Sequence, residues 1–405
     1  MQLFEKLIKY AEAERLVLEN MPRTPVEALP LMEARGLVLA EDIEAKFDSP
    51  PFDNSAVDGY AVRSRDTEAG KTFEVVDEAP AGRPSDKSVG EGEAIKIFTG
   101  GVVPDGADAV VMVEDTSGWG ESFDIGKEIP EGNNIRRSGE DVREGDVILR
   151  AGTEIGPYEV ALAASQGYGD LPAHRRPTVV VLSTGTELVE PGERELSPGE
   201  IFDSNSYAMV AQCHDAGAQA RRLYAASDDA DVLRGAVEEA LETADVVVTS
   251  GGVSVGEKDL VKSTLLDLGV DQVFWGVKFK PGKPLFFGAR EDARFFGLPG
   301  NPVSAMVTFE LFVRPALMKM MGRADKRRPK VEVRFDEDIS NRFGRMHAVR
   351  VSLEKTDGGL LARSVGAQGS GLITSLTKAD AIAMIGPESE VKAGEPVEAI
   401  VLREL

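Results

Sequence analysis

From Pro177 onward the apolar and polar positions follow a strand–helix–strand rhythm. The run TVVVLST (178–184) is apolar almost throughout, as in a parallel strand covered on both faces. A helix is predicted from about Asn205 to Ala216, closed by Gly217; Asp228 and Asp229 cap another over 232–242, and ADVVVTS (244–250) is the next buried strand. This alternation predicts an open parallel sheet wrapped by helices over residues 177–325. Residues 46–145 differ: short β-like runs (FEVV, AIKIF, AVVMV) broken by Gly, Pro and Asp predict a small β-rich domain. After Pro329 the runs VEVRF, HAVRVSLE and AIAMI predict a C-terminal β-barrel over 326–405, with a sandwich as the alternative. Near the start, Thr24-Pro25-Val26-Glu27 combines a capping box with proline at the first helical position, so a helix ending at Gly36 is expected. A strand-like LVLA (37–40) follows, and a short helix is expected from about Pro157. Residues 1–45 and 146–176 then form a mixed linker domain, and the fold class is multidomain α/β.

Composition narrows the function. A chain of 405 residues exceeds one ordinary core. No apolar run approaches the ~20 residues of a membrane span, and MQLFEKLIKYAEAERL is too charged for a signal peptide. One cysteine, Cys213, excludes an internal disulfide and points to a reducing cytoplasm; mid-helix, it reads as core packing. The net charge of −23 argues against nucleic acid as a partner. His174, His214 and His347 have no metal-ligand spacing, so zinc is not expected.

Ligands of open α/β sheets bind beyond the carboxyl ends of the strands. Two such ends carry glycine followed by acid: Thr184-Gly185-Thr186-Glu187, and Ser250-Gly251-Gly252 followed by Glu257-Lys258-Asp259. Glycines let backbone N–H groups approach a phosphate, and acids just beyond can hold Mg²⁺. Neither a P-loop nor Gly-x-Gly-x-x-Gly is present, which disfavours an ordinary NAD or ATP fold. Lys278-Phe279-Lys280-Pro281-Gly282-Lys283-Pro284 packs three lysines into a proline-stiffened loop suited to an anion. In Gly297-Leu298-Pro299-Gly300-Asn301-Pro302, Asn301 suits a helix N-cap and Pro302 the first turn. The paired Arg136 and Arg137 suit a phosphate or a domain contact.

FDNSAVDGYAV, TGGVVPDGADAVV, NNIRRSGEDV, STGTEL, SGGVSVGEKD, KPGKP, GLPGNPVSA and AQGSGLI occur in the order found in the MoeA family, the molybdopterin molybdenumtransferases. The chain resembles that family from about residue 5 to 400, and residues 177–322 also resemble single-domain pterin adenylyltransferases. The resemblance implies a four-domain homodimer that takes adenylylated molybdopterin, releases AMP with Mg²⁺, and inserts molybdate. It implies functional acids at Glu187, Asp228 (or Asp229) and Asp259, with Glu187 and Asp259 on the metal. It implies Lys280, Lys283, Arg350 and Ser370 as the molybdate set. Asp58, Thr99 and Asp141 match positions reaching the site from the partner subunit, Asp58 and Asp141 as catalytic acids. Thr99, Ser250, Gly251, Gly252, Ser254, Pro299 and Pro302 are the substrate-binding candidates. Two other readings stay open: a molybdopterin adenylyltransferase, and a catalytically silent scaffold of the same fold.

Overall fold

A computed structural model describes residues 7–225, 230–252, 260–291, 293–324 and 327–403. The chain divides into two compact units, one of Pro30–Glu33 with Glu41–Asp170, the other of Met1–Leu29, Ala34–Ala40 and Leu171–Leu405.

In the first unit, β1 (Gly59–Val62), β2 (Thr72–Ala79), β3 (Glu93–Ile97), β4 (Ala109–Met112) and β5 (Ser122–Asp124) form one sheet in the order β4-β1-β3-β2-β5. Tyr60, Phe73 and Phe123 stack in its core, with Tyr60 and Phe123 centroids 3.8 Å apart. The helix expected from Pro157 spans Pro157–Ser165. Gly59 is required at its position: a Cβ there would lie 1.8 Å from the carbonyl oxygen of Val111 on β4.

In the second unit, β6 (Thr178–Thr184), β7 (Gln219–Ala225), β8 (Val246–Ser250), β9 (Asp271–Trp275), β11 (Phe286–Arg290) and β12 (Ala293–Leu298) form the α/β sheet; the two-residue β10 (Phe279–Lys280) belongs elsewhere. The order is β7-β6-β8-β12-β11-β9; the first four strands run parallel, and β11 pairs antiparallel with both neighbours. Alternate residues of β6 explain why its apolar run is continuous. Val179 and Val181 pack with Met209 and Cys213 of the helix Asn205–Asp215 on one face. Val180 and Leu182 pack with Leu233 and Val237 of the helix Ala230–Thr243 on the other. Burial pushes the Cys213 thiol up to about 12, so it packs as a small apolar group.

β13 (Lys330–Phe335), β14 (Met346–Thr356), β15 (Gly359–Ser364), β16 (Ala381–Ile385) and β17 (Pro396–Val401) follow in the order β14-β15-β13-β17-β16, and β16 pairs back to β14. The sheet is therefore a closed five-stranded barrel, which leaves no free edge within the ring. β10 extends it outside the ring, parallel to β14, with Lys280 opposite His347.

The helix expected after Thr24 does not form. Val26–Pro30 is a strand, and between Thr24 and Gly36 only Leu31–Ala34 is helical. Thr24 is buried, and its hydroxyl is taken by the carbonyls of Arg175 (2.7 Å) and Met320 (3.1 Å). A residue whose side chain is held by distant carbonyls cannot cap the helix that its local sequence suggests. The strand-like Leu37–Ala40 makes only an isolated bridge, Leu39 to Ala173.

Candidate functional site

β6 and β8 are neighbours, but the chain leaves them toward opposite faces. After β6 it enters Asn205–Asp215; after β8 it reaches the helix Leu260–Asp267, whose Val261 and Leu265 pack on the Val180–Leu182 face. A crevice must open where two connections part. A cavity of ≈ 290 Å³ lies there, walled by Ser183 to Gly185, Glu187, Leu188, Ile201 to Asn205, Ser250 to Gly252, Gly300 and Pro302.

Gly185 has φ +142°, and a Cβ on it would sit 2.5 Å from Glu187 Oε2, so the Glu187 carboxylate folds back over its own turn. Gly251 and Gly252 have φ +89° and +68°, conformations that favour glycine. A Cβ on Gly252 would meet Val261 Cγ2 at 2.4 Å. Gly251 differs from the expected phosphate cradle: its N–H donates to the carbonyl of Leu298 (2.9 Å), tying β8 to β12. Its absent side chain also lets the Gly300 backbone approach.

Sequence reasoning missed the polar frame around the cavity. Asp203 is 2% exposed. Its Oδ2 accepts from the hydroxyls of Ser183 (2.6 Å) and Ser206 (2.5 Å), and its Oδ1 from the Ser206 N–H (3.1 Å). Asn205 Nδ2 donates to Ser250 Oγ (2.7 Å) and to the carbonyl of Gly300 (2.8 Å), clasping the ends of β8 and β12. A carbonyl cannot donate, so the Gly300 contact fixes which way the amide faces. The DSNS run from Asp203 was the available signal; it reads as capping, and only its packing against β8 gives it this second role. Asn301 precedes Pro302 at the start of the helix Pro302–Thr308 as expected, without a side-chain cap bond.

Among the described residues, the cavity's formal charges are Glu187 and Asp203, and no cation lines it. The basic groups stand one step away. Pro302 lines the cavity, and the next N–H, of Val303, donates to the carbonyl of Ser370 (3.0 Å). Gln368 fixes that loop to β14: its Oε1 accepts from the Arg350 N–H (3.0 Å) and its Nε2 donates to the Arg350 carbonyl (3.1 Å). Arg350 is fully buried, its Nη2 donates to the carbonyl of Gly369 (3.3 Å), and its Nε and Nη1 find no acceptor among the described residues. Burial pulls its pKa down. Lys280, over the ring of Phe343 at 3.9 Å, is pulled down by burial and then by Arg345 and Arg350. His347 falls to about 4 through burial and the same neighbours, Lys280 and Arg350. Lys283 is exposed at the end of the loop, and Pro299 is buried.

Asp58, Thr99 and Asp141 belong to the other unit. Asp58 Oδ1 accepts from both the N–H and the hydroxyl of Thr99 (2.8 Å each), which holds its carboxyl below the usual range. The pairing follows from register: Gly59 faces Ile97, so the start of β1 meets the end of β3. Asp141 is exposed on a separate turn, its N–H bonded to the carbonyl of Ser49. Arg137 is paired with Asp53 (2.6 Å). Asp228, Asp229, Ser254, Glu257, Lys258 and Asp259 lie outside the described residues.

Residues 8–167 match the MoeA N-terminal region (domain I and II), 180–319 a probable molybdopterin binding domain, and 332–402 the MoeA C-terminal region (domain IV). The chain belongs to the MoeA family. It is 38% identical to the molybdopterin molybdenumtransferase of Haemophilus influenzae over 392 residues, covering 95% of this chain and 96% of that protein. The corresponding protein of Bacillus subtilis is 37% identical over 405 residues, covering 97% and 94%. A crystal structure of the molybdopterin biosynthesis MoeA protein from Pyrococcus horikoshii superposes with a TM-score of 0.76 at 34% identity, covering 98% of this chain and 100% of that one. Another structure of that protein gives a TM-score of 0.83 at 32% identity, covering 99% and 100%.

Proposed function

We propose that this MoeA-family chain is a molybdopterin molybdenumtransferase: it takes adenylylated molybdopterin, releases AMP with Mg²⁺, and inserts molybdate to give molybdenum cofactor. The observation that carries this reading is the division of charge within one unit. An acid-lined cavity sits one backbone hydrogen bond from a loop held against a buried arginine that has no carboxylate partner among the described residues.

A cavity bearing Glu187 and Asp203 repels a phosphate unless a cation stands between. Among the described residues no three His, Cys, Asp or Glu side chains converge as a metal cage. A single carboxylate fits Mg²⁺ all the same, because that ion keeps several waters and is commonly shared between one or two carboxylates and substrate phosphates. Glu187 would hold it, with Asp259 as second ligand and Asp228 or Asp229 nearby. When bound, it would offset the charge developing on the phosphate of departing AMP. Ser250, Gly252 and Ser254 take the phosphate side of the substrate, and Gly251, Pro299 and Pro302 keep the turns in register. Lys280, Lys283, Arg350 and the Ser370 hydroxyl hold molybdate, a tetrahedral dianion. The neutral His347 adds no fourth charge to that group. No protein nucleophile is needed; the residues bind, orient and neutralise.

The chain acts as a cytoplasmic homodimer in which Asp58, Thr99 and Asp141 of the partner subunit complete the site. Its four domains are 1–45 with 146–176, 46–145, 177–325 and 326–405. No helix among the described residues is long and apolar enough to cross a membrane.

The test is AMP release from adenylylated molybdopterin, with and without molybdate and Mg²⁺. No release under any condition refutes the proposal; adenylate made from ATP and free molybdopterin would favour an adenylyltransferase instead. Asp259→Asn is expected to nearly abolish release while leaving the dimer intact, and unchanged turnover removes Asp259 from the site.

A further inference from the structure

The edge strand β7 sends two side chains, Arg222 and Tyr224, to one side of the loop that carries Glu187. They are two residues apart and so share a face of the strand. The Tyr224 hydroxyl donates to the carbonyl of Leu188 (2.6 Å), the residue after Glu187. Arg222 grips Glu190 with two parallel bonds (2.8 and 2.6 Å), while its Nε donates to Ser206 Oγ (2.7 Å). The guanidinium also lies 3.8 Å from the centre of the Tyr207 ring, and the Tyr207 hydroxyl donates to Glu190. These bonds hold Glu190 down to about 2. On the far side of the loop, the Ile201 N–H donates to the carbonyl of Glu187 (2.8 Å) and the Asp203 N–H to that of Val189 (3.0 Å). Residues 187 to 190 are thus held from both flanks, whereas the Glu187 side chain is left exposed over the cavity.

We infer that Tyr224 and Arg222 are positioning residues for Glu187: they fix its backbone so that its carboxylate meets the divalent cation without first being ordered. The inference rests on the reading of Glu187 as a metal ligand. A preorganised carboxylate binds a cation more tightly than one that must be ordered at the moment of binding. Neither side chain touches the substrate in this scheme, so their loss shows first in the metal requirement and not in molybdate affinity.

Tyr224→Phe removes one donor and keeps the ring; Arg222→Lys keeps the charge and loses the two-bond grip. Two readouts on the full-length chain separate positioning from general damage. The first is hydrogen exchange of the 185–203 amides without substrate or metal, expected to quicken about three- to tenfold in Tyr224→Phe, the loss of one hydrogen bond. The second is the Mg²⁺ concentration for half-maximal AMP release, expected to rise by a similar factor, with the KM for molybdate and the thermal midpoint unchanged. Wild-type exchange together with a wild-type Mg²⁺ requirement in both variants overturns the inference. Because exchange needs no turnover, wild-type exchange rates in the variants overturn it even if the parent protein releases no AMP. Glu187→Gln with an undiminished Mg²⁺ response also overturns it, since no carboxylate would then need positioning; AMP release by that variant would leave the transferase reading standing.

Discussion

Replacing Arg350 by methionine should stabilise the protein and destroy its response to molybdate. Arg350 is 0% exposed, no carboxylate is bonded to it among the described residues, and Nε and Nη1 lack acceptors. Each unsatisfied buried polar group costs about 1–3 kcal/mol. Two such nitrogens, about 2–6 kcal/mol together, outweigh the single charge-assisted bond to Gly369, which is worth about 1.5–3 kcal/mol. Apolar replacements of buried ionic groups commonly gain about 1–4 kcal/mol, and methionine matches the length of the arginine stem. For a domain of this size that gain raises the thermal midpoint by about 2–4 °C per kcal/mol. The wild type should itself gain about 2.7 kcal/mol when molybdate is present at 100 times its Kd, and the variant should gain nothing. Thermal unfolding of both proteins, with and without molybdate, reads the two effects in one experiment. A variant that melts lower than wild type, and is still stabilised by molybdate, would show that Arg350 is a structural residue and refute the charge argument.

Gly252→Ala is expected to cost about 1–3 kcal/mol, from its positive φ and the 2.4 Å approach to Val261. It should lower kcat/KM for AMP release more than Gly235→Ala in the helix Ala230–Thr243, where a Cβ meets nothing among the described residues; equal effects would remove the turn from the site. His347 titrates near 4 when folded, because of burial and then Lys280 and Arg350, against an ordinary value of 6.5. The unfolded chain therefore binds the proton first, and stability should fall as pH drops from about 6.5 to 4. His347→Phe should flatten that portion of a denaturation-midpoint profile, and an unchanged profile rules out His347 as its source.

The α/β sheet was legible because a buried parallel strand must be apolar on both faces, and TVVVLST and VVVTS advertise this in any register. The glycine turns were legible too, since φ of +68° to +142° leaves little choice of residue. The barrel's strands could be read singly, but its closure by β14 with β16 could not, because a strand's sequence does not name its partner across thirty residues. Thr24 shows the reverse failure: its capping box is locally sound, and two carbonyls from residues 175 and 320 overrule it.

The candidate site divides along the same line. Sequence alone determined the turns, their acids and the lysine loop, because each rests on a local need for free φ, charge or stiffness. Only the tertiary structure decided that Asp203 and Asn205 frame the cavity, that Arg222 and Tyr224 hold the Glu187 loop, and that Arg350 is a buried cation whose Nε and Nη1 lack acceptors among the described residues. Those facts depend on which groups meet after folding. A hydrogen bond across forty-five residues, or its absence, leaves no trace in the local pattern of the chain.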